Sequence, residues 1–235
     1  MRMQCLYACA LFAALFVTPC SAATVDLAWT GAASPEQDEL VSIDSGATYN
    51  SFQAGTYHWN VTNNGAPSVV TGSILDTYCI EISQLASTTP HTYTILGPGF
   101  GAYVAPFNNA STITAFFNQY YTLSLTATQQ EAFQLSIWEL VMDGTPGSLT
   151  GGQFRVQGSD TVTAQANTWL SLFNTSTTGN WTVYQAHNDE VQDQIFALQG
   201  GGAGQGAPLP AAVVGGMVLM GGLASLRAWR HKARA

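Results

Sequence analysis

The sequence predicts a mainly β (α+β) fold, a single β-sandwich-like domain with two or three packed helices. Three observations predict it. Up to residue 98 the chain runs in short β-branched and aromatic segments that alternate apolar with polar residues. Between 111 and 173 the apolar spacing changes to the three-and-four of a helix, and after 181 strand spacing returns. Setting aside two unusual ends leaves about 180 residues, enough for one domain with a core.

The elements follow in order. Residues 24–30, 48–53 and 56–63 read as strands; in the last, Tyr57, Trp59 and Val61 alternate with His58, Asn60 and Thr62. Residues 69–82 continue the pattern, with Tyr78, Ile80 and Ile82 on one face and Thr77, Cys79 and Glu81 on the other. A strand over 91–96 ends at Gly97-Pro98-Gly99. Ser111 or Thr112 caps a helix reaching Tyr121, with Ile113, Phe116, Phe117 and Tyr120 at helical spacing. Thr128-Gln-Gln-Glu131 reads as a capping box before the stripe Phe133, Ile137, Leu140 and Val141, which ends at Asp143-Gly144. Val162, Ala166, Trp169, Leu170 and Phe173 predict a third helix, and 181–186 and 194–198 the last strands.

The ends read as addresses. Met1-Arg2, the thirteen-residue apolar run 5–17, Pro19 and the small residues 20–23 make a secretory signal peptide over 1–23, cut by signal peptidase. That run is too short to span a bilayer, which needs ~20 residues. The secreted domain then covers 24–199, followed by a glycine-rich linker over 200–207. Pro208-Leu209-Pro210, an apolar helix over 211–226 and a basic cluster with Arg227 and Arg230 close the chain. Taken alone, this is a membrane anchor with its basic end held in the cytoplasm.

The order of those three parts resembles the PEP-CTERM sorting signal of Gram-negative bacteria, with Leu209 in place of the usual glutamate. The resemblance implies export across the inner membrane and anchoring through the C-terminal helix. Processing by an exosortase-type protease and residence on the cell surface or in the extracellular matrix would follow.

Charge narrows the function classes. The chain is only 9% charged, and Arg155 is the one cation between residues 3 and 226, against fourteen acids. A body with one cation offers no basic face to phosphates, which excludes nucleic-acid binding. His58, His91 and His187 are isolated and no metal-ligand spacing occurs, so neither metal nor cofactor is expected. Asp189, Glu190 and Asp193 lack the glycine-bearing loop of a calcium site and read as a solvated turn. Phosphate-binding glycine loops and nucleophile elbows are also missing from the sequence.

Cysteine usage directs attention to one position. Cys5, Cys9 and Cys20 leave with the leader, so the mature protein keeps Cys79 alone in an oxidising compartment. It is a buried inert thiol, a nucleophile, or a thiol already consumed in another bond. Gln134 is the second unusual residue. With Phe133 at zero on a helical wheel, Gln134 falls at about 100°, between Val141 at about 80° and Trp138 at about 140°. An amide inside an apolar stripe needs a partner or costs ~1–3 kcal/mol. Hydrogen bonding to a neighbouring strand is one reason for it; chemistry is another.

Tyr78-Cys79-Ile80-Glu81 and Phe133-Gln134-Leu135-Ser136-Ile137-Trp138-Glu139 resemble the two motifs of the thioester domains of bacterial surface adhesins. Phe133 and Ser136 stand where that family has threonine and alanine. The resemblance implies that Cys79 supplies a sulfur and Gln134 an acyl group to an internal thioester, with Tyr78, Glu81 and Trp138 in support. It implies a non-enzymatic adhesion module that bonds to surface amines, hydroxyls or exopolysaccharide. The mature body has no lysine, Lys232 being the only one, which spares an acyl group from lysine amines or simply reflects a body poor in cations throughout. The alternative is a non-reactive structural or exopolysaccharide-associated matrix protein with a buried free cysteine. A Cys79/His91 hydrolase lacks any basic neighbour to lower the thiol pKa.

Overall fold

The computed structural model describes residues 22–66, 69–158 and 160–200, without the side chains of 33–37. The predicted leader, linker and tail lie outside these residues apart from 22–23 and Gly200, and so do the helix expected over 211–226 and Pro208, Leu209, Pro210, Arg227 and Arg230. Among the described residues no helix is long and apolar enough to cross a membrane.

The strands are β1 (Thr24–Ser42), β2 (Asn50–Asn64), β3 (Ile74–Cys79), β4 (His91–Leu96), β5 (Arg155–Val156), β6 (Trp181–His187) and β7 (Gln194–Gln199). The helices α1 (Ala110–Tyr120), α2 (Ala127–Asp143) and α3 (Thr161–Leu172) fall between β4 and β6. Every strand pairing is antiparallel, and the order β1-β2-β3-β7-β6-β4 returns to β1, with β5 added at the far end of β1. Among the described residues the fold is therefore mainly β with three helices, as expected, but its strands close into a six-stranded barrel instead of a sandwich.

The reason lies in β1. Its first residues pair with both β2 and β4, and its register against β2 shifts at Asp26/Leu27, Trp29/Gly31 and Ala33/Gln37. Each irregularity bends and twists a strand, so one long strand joins both sides of the sheet and removes its free edges. Alternating residues are required by sandwich and barrel alike, which is why the pattern does not distinguish them.

Boundaries differ in instructive ways. The expected strands 48–53 and 56–63 are one continuous β2, while the expected 69–82 contracts to β3. The capping box of α2 is Thr126 with Gln129, two residues before the expected Thr128 and Glu131; Gln129 N–H reaches Thr126, and the Gln129 side chain accepts from Thr126 N–H at 2.9 Å. Both tetrads satisfy the same Thr-x-x-Gln/Glu pattern, and burial selects between them, since Glu131 belongs to the core. The first helix is capped by Asn109, without a side-chain bond, and not by Ser111 or Thr112. Asp160 caps α3 by accepting from Thr163 N–H at 2.8 Å.

Two apolar regions meet. Trp59 of β2 and Tyr93 of β4 pack edge-to-face, both fully buried. Outside, Phe116 and Phe117 of α1 pack on Phe133 of α2, their ring centres 5.0 and 4.9 Å from it. The α2 helix is no one-sided stripe: every residue from Glu131 to Leu140 is buried.

Candidate functional site

Cys79 is the last residue of β3, and the ladder on one side of it is left incomplete. Strands β2 and β3 pair Tyr57 with Thr77, so the next rung would set Gly55 opposite Cys79, yet the pairing stops short of it. On the other side β7 remains in place, with Ile80 N–H donating to Asp193 C=O at 3.1 Å. The N–H and C=O of Cys79 therefore face the gap where β2 has departed.

Gln134 fills that gap. Cys79 N–H donates to Gln134 Oε1 at 2.9 Å, and Gln134 Nε2 donates back to Cys79 C=O at 2.8 Å. One side-chain amide thus reproduces both bonds of a neighbouring strand, and Gln134 is wholly buried while doing so. Here the helix meets the strand at its hydrogen-bonding edge. The ring of Tyr78 turns to the helices, 4.8 Å from Phe133 and 6.0 Å from Phe117. Thr77, which shares strand parity with Cys79, accepts from the indole of the core residue Trp59 at 2.9 Å.

The Cys79 thiol is free and fully buried. Burial pushes it up to about 12; the Trp138 indole and the Glu81 N–H offset this only in part. The thiol, not the thiolate, is then the resting form, and its intrinsic nucleophilicity is low. The Trp138 N–H makes no hydrogen bond of ordinary geometry, so it acts on the sulfur as a nearby dipole. Glu81 is partly exposed, and burial and Asp193 raise its pKa. Tyr78, whose hydroxyl accepts from Thr56 at 3.1 Å, is held in the phenol form by burial.

The other sequence candidates separate. His91 lies 3.4 Å from the Thr89 hydroxyl and makes no bond to Cys79. The reading of Asp189, Glu190 and Asp193 as one solvated turn needs correction. Asp189 is exposed, but Asp193 is fully buried and accepts from Gln185 Nε2, Asn188 N–H and His187 Nδ1, each at 2.8 Å. Sequence reasoning missed this cluster; its one signal was an acid standing directly before the strand that begins at Gln194. Gln194 itself, buried beside Cys79, accepts from Thr77 at 2.8 Å. Among the described residues no group of three or more His, Cys, Asp or Glu is placed to hold a metal.

Chemically, the arrangement sets a carboxamide against the main chain of the residue that carries the buried thiol. The Cys79 N–H already holds the oxygen on which charge would build if a nucleophile attacked the Gln134 carbonyl carbon, the role of an oxyanion donor. No protein-family profile matches the chain, nor does any curated protein or solved structure.

Proposed function

We propose that the protein is a secreted, cell-surface or matrix adhesion module, sorted by its PEP-CTERM-like tail, that bonds covalently through a thioester between Cys79 and Gln134. One observation carries this reading: the lone mature cysteine and the buried glutamine of α2 are direct neighbours, joined by two hydrogen bonds. Amides are poor acyl donors, and contact of this kind is what supplies the missing reactivity.

The chemistry balances without a cofactor. Sγ attacks the Gln134 carbonyl carbon, the Sγ–Cδ bond forms, the Cδ–Nε2 bond breaks, and the thiol proton leaves with the amide nitrogen as ammonia. A foreign amine or hydroxyl then attacks the same carbon, gives an amide or ester, and returns the sulfur to the thiol. Cys79 N–H stabilises the oxyanion in both steps. Glu81, with its raised pKa, is the nearest acid in sequence able to pass a proton.

A second reading has its own observation. Both ends of the Gln134 amide are already satisfied by the Cys79 main chain, and the thiol is pushed up to about 12. On this reading the pair is structural and the protein a passive matrix component. Intact mass separates the two. A mature protein one ammonia lighter than its sequence, with methylamine then added at Gln134, supports the thioester. Full sequence mass, with Cys79 alkylated after unfolding, supports the passive protein.

A further inference from the structure

An open cleft of about 540 Å³ lies between α1 and the loop before β6, within the range of about 300–1,000 Å³ common for small-ligand sites. One wall is α1, with Ser111, Thr114 and Asn118; the other is the 175–179 loop, with Thr175 and Thr178; Tyr103 and Trp181 complete it. Among the described residues no acidic or basic one lines it, although the body carries fourteen acids. The hydroxyls of Ser111, Thr114, Thr175 and Thr178 make no hydrogen bond to another described residue.

The walls are built rather than incidental. Asn118 clamps the start of β6, donating to Trp181 C=O at 3.0 Å and accepting from Trp181 N–H at 2.9 Å. Gly179 permits this approach, since a Cβ there would stand 2.3 Å from Asn118 Oδ1. The Trp181 ring is fixed edge-on to Tyr121 at 4.9 Å, and Tyr103 is tethered by its hydroxyl to Val183 C=O at 2.6 Å. The aromatic groups and one amide are thus ordered before any ligand arrives, which lowers the cost of binding.

We infer that this cleft is a binding site for a neutral polysaccharide, whose hydroxyls meet the serine and threonine side chains and whose apolar C–H surface meets Tyr103 and Trp181. The absence of a cation in the lining disfavours phosphate or uronate groups. The hydroxyl-rich walls disfavour a lipid. The inference does not rest on the thioester, because it requires only reversible contact.

Affinity electrophoresis of the mature protein through gels containing soluble β-glucan, galactomannan or dextran, with alginate as the acidic comparison, tests it. Retardation is expected in at least one neutral gel. Ser111→Trp, which fills the cleft from an exposed position on α1, should weaken the apparent affinity at least about tenfold, a loss of ~1.4 kcal/mol. Thr178→Trp repeats the block from the opposite, exposed wall should the first variant fold poorly. No retardation in any neutral gel, retardation in alginate alone, or equal retardation of the folded variants would overturn the inference. So would retardation that disappears after methylamine, which would assign the binding to acyl capture instead.

Discussion

Two buried polar side chains sit five residues apart on α2 and meet opposite circumstances. Gln134 is wholly buried and both of its amide groups are bonded. Glu139 is 1% exposed, yet among the described residues its Oε2 has no hydrogen-bond partner, and neither has Oδ2 of Asp143 one turn on. The loop after the helix presses on the acid so closely that a Cβ at Gly147 would stand 2.5 Å from Glu139 Oε1. Burial, then Asp143, pushes Glu139 up to about 8. A neutral amide can stand in for a strand because it carries a donor and an acceptor. An acid between a second acid and the negative end of a helix is accommodated by holding a proton.

Gln134→Leu removes the strand substitute outright. It leaves the Cys79 N–H and C=O unpaired in the core, and orphaned buried groups cost ~1–3 kcal/mol each. Urea unfolding should show a loss on the order of 3 kcal/mol. A loss below about 1 kcal/mol would mean that β2 closes the gap, and that the amide is not the strand substitute described above.

Gln134→Glu would turn the first site into the second. A protonated carboxyl still donates to Cys79 C=O and accepts from its N–H, whereas an ionised one sets negative charge against that carbonyl. Stability close to the parent at pH 5, falling steeply by pH 8, is the expected thermal-melting profile. Equal destabilisation at both values would count against the two-bond geometry.

Glu139→Gln makes the reverse exchange, with a smaller effect. Folding raises the Glu139 pKa from 4.5 to about 8, so across that window the folded protein holds more protons than the unfolded chain. Stability therefore falls as pH rises through the window, by at most about 1.4 kcal/mol per pH unit from this group. Glu39, raised to about 7 by burial, adds to the same trend. The variant should flatten the decline of melting temperature between pH 5 and 8 while leaving the part due to Glu39. An unchanged slope would remove Glu139 as its source.

What the sequence revealed follows from what each feature depends on. Strand and helix identity rests on local periodicity, and 91–96 became β4 without adjustment while α3 matched its apolar spacing. The importance of Gln134 was also legible, because an amide on an apolar helix face needs a partner. The identity of that partner was not: it depends on β2 leaving the ladder one rung early, a feature of register between distant segments. Barrel closure was hidden for the same reason, being decided by irregular pairing along β1. Asp193 was misread as solvated because its partners, Gln185 and His187, reach it only across the β6–β7 pairing.

The smallest expected change in stability comes from Cys79→Ala, and it separates fold from chemistry. Gln134 grips the main chain of residue 79, so alanine keeps both hydrogen bonds and loses only the packing of one sulfur, about 1 kcal/mol. If the thioester forms, the ammonia deficit and the methylamine label vanish together in this variant, while the urea midpoint moves little. A variant that unfolds as readily as Gln134→Leu would show that the sulfur itself holds the strand end in place. The large effect would then belong to the core, and the case for placing a reactive bond there would weaken accordingly.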